Sequence, residues 1–353
     1  MPRRNLHCLF LVTLLSLVCY YQKVPGSRYS RVLAGAMDRV CRRFYQPVDE
    51  LNLFEGAMSG MIQRLGDKNS KYIKAAQKQE FEEDLSQEDT VRGYCRAADG
   101  RWNFLLPGDR KIGYIRISVF SEAGQGEKGA AAEFRAALEQ LGKEKISGLV
   151  LDLRGNGGGS LRAAVAICDM LIPQGEIVTT RGREGQILRA FSASGKASFT
   201  AVPMAVLVNR ATASASEIVA ACLQDHDRAI VVGERSYGKG TVQEVVDLGH
   251  AFGAMKLTIA TYWRPSGQDI NRPKEDAKND AKNATWGVSP NEGYDLPIED
   301  DQRDRLLSWQ RTRESATTRN TGCPDGGKVA AGDDVPDRVL LKAVEYLESK
   351  EGK

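Results

Sequence analysis

MAVLVNRATASASEIVAACLQDHDRAIVVGERSYGKGTVQ, running from Met204 to Gln243, is the stretch from which the architecture is most directly read. MAVLVN (Met204–Asn209) is a short, nearly continuous apolar run, the pattern of a strand buried on both faces. Ser214–Gln224 then reads as a helix, and AIVVG (Ala229–Gly233) as a second buried strand. Strand, helix and strand in succession make a βα unit. The same alternation extends upstream through IGYIRIS (Ile112–Ser118), a helix over Ala130–Leu141, the strand GLVLDLR (Gly148–Arg154) and a helix over Leu161–Ile172. Downstream, TVQEVVDLG (Thr241–Gly249) and MKLTIATY (Met255–Tyr262) are strand-like. The expectation is an α/β domain built largely from βα units.

The turns of this pattern carry the reactive residues. Ser214 sits where a strand meets a helix, so its hydroxyl is presented beside the free N–H groups of a helix N-terminus, which favour a developing oxyanion. Ser214-Ala215-Ser216-Glu217 is equally an S-x-x-E capping box. Lys239 lies between Gly238 and Gly240, which allow a tight turn into a crowded site, and Gln243 follows one short step later. A serine needs a base to take its proton, and a lysine can be that base; taken alone, a Gly-Lys-Gly is usually a surface loop. DLRGNGGGS (Asp152–Ser160) joins a buried strand to a helix, and its glycines can present unhindered N–H groups to an anion.

Two other chemistries are weighed against this one. Gly233-x-x-x-x-Gly238-Lys239 approaches a nucleotide-binding P-loop, but Gly240 stands where the magnesium-ligating hydroxyl belongs, and a strand-like segment follows instead of a helix. A Ser-His-Asp triad would have to use His226, which lies in the polar turn QDHDRA and reads as solvated. With three histidines in the chain and no HExxH, a catalytic metal is not expected.

The ends of the chain read differently. Arg3-Arg4 precedes an apolar run from Cys8 to Tyr21, shorter than the roughly 20 residues that usually span a bilayer, so export through a signal peptide or a retained membrane anchor is expected. Two apolar stripes at helical spacing follow, Leu33-Met37-Val40-Phe44 and Leu51-Phe54-Met58-Met61-Leu65, broken at Pro47 into a helix pair. Asp67–Glu88 is polar and reads as helical in its later half. Asp99-Gly100 reads as a hairpin turn between strands around Tyr94 and Phe104. Arg272–Thr285 and Ser315–Asp334 read as loops, and Val335–Ser349 as an amphipathic helix. Lys+Arg 49 against Asp+Glu 46 leaves only +3 over 353 residues, which gives a nucleic-acid partner no support. None of the seven cysteines forms a CxxC pair, and Cys168 and Cys222 read as core fillers within helices.

IGYIRISVFS, GLVLDLRGNGGG, VNRATASASEIVAACLQD, VVGERSYGKGTVQ, MKLTIATYWRPSGQDI and GVSP occur in this order from Ile112 to about Pro290. Together they resemble the C-terminal processing (tail-specific) serine peptidases of family S41; GDKNSKYI (Gly66–Ile73) and the terminal helix resemble the family's flanks. The resemblance implies a crotonase-like (ClpP/crotonase-type) α/β spiral core. It also implies Ser214 as nucleophile, Lys239 as general base, Gln243 as the residue that positions the lysine, and the amides of Ala215 and of Gly158 or Gly159 as oxyanion hole. No cofactor is implied. Family members usually carry a PDZ domain before the IGYIRI strand. The stretch between Leu85 and Ile112 is too short to fold as one, since below about 40 residues a domain usually needs extra cross-links.

The expected organisation is therefore a leader over 1–26, a helical region over 27–92, a short β connector over 93–111, the peptidase core over 112–300 and a tail with a helix over 301–353. The expected substrates are unfolded or flexible proteins and peptides in an exported location. A separate adaptor protein, a membrane tether through the N-terminal segment and a homo-oligomer stay open. The rival reading is a catalytically idle relative that binds peptides or other ligands.

Overall fold

The computed structural model describes residues 27–77, 90–97, 99–123, 129–197, 199–249, 251–273, 285–315 and 336–350. The leader, the later half of the Asp67–Glu88 segment, most of the loop after Arg272 and the Ser315–Asp334 loop beyond its first residue lie outside them. The chain divides into two compact units.

The smaller unit contains α1 (Arg28–Arg43), α2 (Glu50–Gln63), β1 (Lys71–Ile73) and the turn Asp247–Met255. The break at Pro47 is followed by a fresh N-cap, where Asp49 Oδ1 accepts the N–H groups of Leu51 and Asn52 at 2.9 and 3.1 Å. Phe54 packs edge-on against Phe252 with ring centroids 5.3 Å apart, and Tyr72 donates its hydroxyl to the Phe252 carbonyl at 2.8 Å. The stripe on α1 is solvent-exposed at Leu33, Val40 and Phe44.

The larger unit is a mixed α/β fold. Its elements in chain order are β2 (Val91–Arg92), β3 (Cys95–Arg96), β4 (Trp102–Asn103), β5 (Ile112–Ile117), α3 (Ala130–Glu144), β6 (Gly148–Asp152), α4 (Leu161–Leu171), β7 (Glu176–Arg181), β8 (Ile187–Ser192), β9 (Met204–Val208), α5 (Ala215–Asp225), β10 (Ala229–Gly233), β11 (Thr241–Asp247), β12 (Ala254–Trp263), α6 (Asp300–Ser315) and α7 (Arg338–Lys350). The central sheet has the order β10-β9-β6-β5-β2, parallel except for β2. Leu151 in β6 stands opposite Ile115 in β5 and Val206 in β9, and Val206 opposite Val231 in β10, an apolar row across the sheet. In a second sheet β12 pairs antiparallel with β7, β7 pairs with β8, and β11 pairs with β12.

Strands β5, β6, β9 and β10 and helices α3, α4, α5 and α7 lie within a few residues of the positions read from periodicity. The β7–β8 hairpin and α6 are additions. Cys168 and Cys222 are buried free thiols, as expected of core fillers, whereas Cys95 is disulfide-bonded. Among the described residues no helix is long and apolar enough to cross a membrane.

Candidate active site

Parallel strands put their C-terminal loops at one edge of the sheet, and two of those loops meet there: β6–α4 with the glycine run, and β9–α5 with Ser214. Asn156, itself buried, binds them together. Its carbonyl accepts the Ala213 N–H and the Ser216 hydroxyl, both at 3.0 Å; its side-chain amide donates to the Ile117 carbonyl at 2.9 Å. Thr212 adds a hydroxyl donated to the Leu153 carbonyl at 2.9 Å. The approach is so close that a Cβ on Gly158 would stand 2.7 Å from Ser214 Cβ, so only glycine fits, at a φ of +111°.

Ser214 has φ +57° and ψ −117°, a region that a residue with a Cβ rarely adopts and that persists only where its surroundings hold it. It caps α5, whose first nine residues, Ala215 to Leu223, are all buried. Ala215 is the first helical residue, so its N–H has no intrahelical acceptor. The Gly158 N–H already donates to Asn156 Oδ1 at 2.8 Å. Gly159, at φ +134°, is held through its neighbours: Phe120 donates to the Gly158 carbonyl and accepts from the Ser160 N–H, at 2.9 and 2.7 Å. Of the two glycines expected to serve an oxyanion, Gly159 is the one whose N–H is not already bound to a described residue.

Glu217 ties Ser214 to Lys239. Its carboxylate is fully buried. Oε2 accepts the backbone N–H of Ser214 and that of Lys239, both at 2.8 Å. Oε1 accepts the Gly238 N–H at 2.6 Å and the Ser236 hydroxyl at 2.5 Å. The backbone nitrogens of Ser214 and Lys239 therefore share one acceptor and cannot lie further apart than those two bonds laid end to end. Burial pushes the Glu217 carboxyl above its usual range, while the Ser236 hydroxyl and the three N–H groups pull it back. Glu217 thus completes the capping box through the Ser214 N–H, and this capping does not exclude the nucleophile reading of Ser-x-x-Glu.

Lys239 is half-buried, and its amine meets no hydrogen-bond acceptor or carboxylate among the described residues. Gly240 after it runs against the backbone of Asn271, where a Cβ would come within 2.2 Å of the amide nitrogen. Gln243, on β11, donates its amide to Thr241 Oγ1 at 2.6 Å, and no bond from it to Lys239 is present. His226 caps the far end of α5, about 18 Å along the helix from Ser214 at 1.5 Å per residue. Rather than being solvated it is half-buried, with Nε2 2.7 Å from the Glu176 carbonyl and its ring against Gly175. Reading the sequence missed Asn156 and the double role of Glu217. The signal for Glu217 was present in Ser-x-x-Glu, but nothing local showed that the carboxylate reaches a loop far along the chain. Among the described residues, no group of three or more His, Cys, Asp or Glu is placed to hold a metal ion.

Residues 111–280 match the sequence model of Peptidase family S41. A C-terminal processing peptidase from the chloroplast of Tetradesmus obliquus is 41% identical over 170 residues, 48% of this chain and 35% of that protein. A carboxy-terminal-processing protease of Bartonella bacilliformis is 43% identical over 167 residues, 47% of this chain and 37% of that protein. The matched region thus spans little more than a third of either relative. Among solved structures, a lipoprotein from Streptococcus agalactiae shares the fold with a TM-score of 0.51 at 16% identity, over 81% of this chain and 90% of that one. The segment that carries Ser214 and Lys239 is thus similar in sequence to peptidase family S41.

Proposed function

We propose that this chain is a serine endopeptidase acting on exported proteins through a Ser214–Lys239 dyad, within a crotonase-like α/β core. The observation that carries the reading is the Glu217 carboxylate, which holds the backbones of both residues on one oxygen. In the reaction, the Lys239 amine takes the Ser214 hydroxyl proton as Oγ bonds to the substrate carbonyl carbon. Negative charge then moves to the carbonyl oxygen, where the N–H groups of Ala215 and Gly159 receive it. The amide C–N bond breaks with return of the proton to the leaving nitrogen. Water repeats the sequence on the acyl-enzyme and restores the serine. Gln243 would orient the amine after a side-chain rotation away from Thr241. No cofactor enters these steps. The substrates would be unfolded or flexible polypeptides, since a peptide bond must lie extended against the serine. The basic, apolar N-terminal segment suits delivery outside the cytoplasm.

The test is digestion of casein by the full chain and by Ser214→Ala and Lys239→Ala. Each substitution is expected to remove activity to background with circular dichroism and Tm unchanged, and Gln243→Ala to reduce it more mildly. A folded Ser214→Ala protein that digests casein at the unsubstituted rate would falsify the reading.

A further inference from the structure

Beside the Gly238–Lys239 segment stands a cluster that the chemistry above does not use. The guanidinium carbons of Arg235 and Arg272 lie over the ring of Trp286, 4.9 and 4.7 Å from its centroid. The indole is seated on the lysine loop itself, because a Cβ on Gly238 would come within 2.6 Å of Trp286 Cε3 and 2.8 Å of Arg272 Cβ. The Arg272 N–H donates to the Gly238 carbonyl at 2.9 Å, and Arg235 Nε donates to Ser289 Oγ at 2.9 Å. Both arginines are exposed, and among the described residues neither meets a carboxylate.

A guanidinium lying over an aromatic ring engages its π face and keeps its in-plane N–H groups for an anion. Two such cations over one ring repel each other, and a carboxylate arriving between them would relieve that repulsion while accepting charge-assisted bonds from both. The ring and the Ser289 bond also restrain side chains that are otherwise costly to order, so part of the entropy of binding is already lost. A surface pair of arginines made only for solubility would need neither the indole nor the glycine that lets the indole close on the loop.

We propose that Arg235, Arg272 and Trp286 form a carboxylate subsite one residue from Lys239, which selects polypeptides bearing a carboxylate near the bond to be cleaved. It rests on the peptidase reading for its purpose, though not for its binding chemistry. The carboxylate can be the α-carboxylate of a chain end or the side chain of Asp or Glu. Either would give the peptidase unit its own means of recognising charge without a separate tail-binding domain.

The test measures binding of three fluorescently labelled peptides to the full-length Ser214→Ala protein by anisotropy. They share one apolar sequence. The first carries Gln and a free C-terminus, the second Glu and an amidated C-terminus, the third Gln and an amidated C-terminus. One or both carboxylate-bearing peptides are expected to bind at least about tenfold more tightly than the third. Adding Arg235→Gln and Arg272→Gln should bring all three within about twofold. A preference for the first peptide alone assigns the site to a chain end, and for the second alone to an acidic side chain. Equal affinities, no binding of any peptide, or a preference that survives the double substitution overturns the proposal. Casein digestion by the unsubstituted protein reports separately on the peptidase reading: cleavage without carboxylate preference removes only the subsite, and preference without cleavage removes only the peptidase.

Discussion

The two faces of the central sheet are made of different materials. Leu149, Leu151, Val206 and Val231 point to one face and share an apolar cluster with Phe134 and Leu141 of α3, Ile167 and Leu171 of α4, and Ile218 and Val219 of α5. The alternate residues, Tyr114, Val150, Leu207 and Val232, point to the other face and meet Val339, Leu340, Ala343 and Leu347 of α7. That second face also buries charge. Arg154 makes bonds of 2.8 and 2.9 Å to the two Asp337 oxygens and one of 2.6 Å to Asp152, and Glu314 receives Arg116 and Arg92 at 2.7 and 2.6 Å. Each face thus holds a buried carboxylate close to a loop of the candidate site, and the two are neutralised differently. Asp152 faces guanidinium charge, whereas Glu217, on the apolar side, is held by N–H and O–H dipoles without a cation among its bonding partners.

The contrast breaks most visibly at Glu217. Glu217→Ala should lower casein digestion by at least about 100-fold, the scale of a 1 Å misplacement of reacting groups, while Asp152→Ala lowers it far less per unit of lost stability. Paired activity and urea-unfolding curves decide this, and equal activity losses at equal stability would erase the distinction between the two carboxylates. Next in size, Asp152→Ala should cost about 3–5 kcal/mol in unfolding free energy, because it strips a partner from the largely buried guanidinium of Arg154. Leu151→Ala, on the apolar face, should cost about 2–5 kcal/mol through the cavity it leaves, and it should do so independently of salt and pH. A marked salt dependence for Leu151→Ala would mean that the apolar face is not dry.

The smallest effect sharpens the comparison by its sign. Burial alone would raise the Asp152 carboxyl, but the charge and bonds of Arg154 outweigh it and hold the group below its usual 3.8. Asp152 therefore adds stability above that pH which is lost as the solution is acidified through its lowered value. Burial carries Glu217 the other way, above its usual 4.5, so its contribution is present at low pH and falls away as pH rises through the raised value. Unfolding free energies between pH 3 and 7 should show a shallower acid loss in Asp152→Asn and a steeper one in Glu217→Gln, each by at most about 1.4 kcal/mol per pH unit. Changes of the same sign in both variants would contradict the opposed environments.

How much of this was legible follows from the same two faces. The apolar face advertises itself locally: IGYIRIS, GLVLDLR, MAVLVN and AIVVG are runs whose composition already says strand, and Ser-x-x-Glu and the glycine run mark the turns between strands and helices. The charged face has no such signature. Arg154 finds Asp337, and Arg116 finds Glu314, only after most of the chain has folded between them, so no window of sequence contains both partners. The same reason hid α6: DDQRDRLLSWQRTRES is polar almost throughout, and its Arg313 and Glu314 are buried by ion pairs and rings instead of by an apolar stripe. Strand β8 was missed because its residues are largely exposed and lack the alternation of a half-buried strand. At the candidate site, Ser214 and Lys239 were readable as residue types in context, whereas the role of Asn156 is a matter of tertiary hydrogen bonds.

If the chain hydrolyses peptides as proposed, the shared acceptor at Glu217 bears on when it can do harm. A peptidase released into a crowded compartment is surrounded by unfolded chains, its own nascent copies among them. Helix α5 can form early from local contacts, but the Ser236–Lys239 loop reaches Glu217 only when the strands on both sides of it have docked. On the proposed reading, hydrolytic competence arrives with the completed fold and leaves with it, so a half-made or heat-damaged copy falls silent instead of digesting its neighbours.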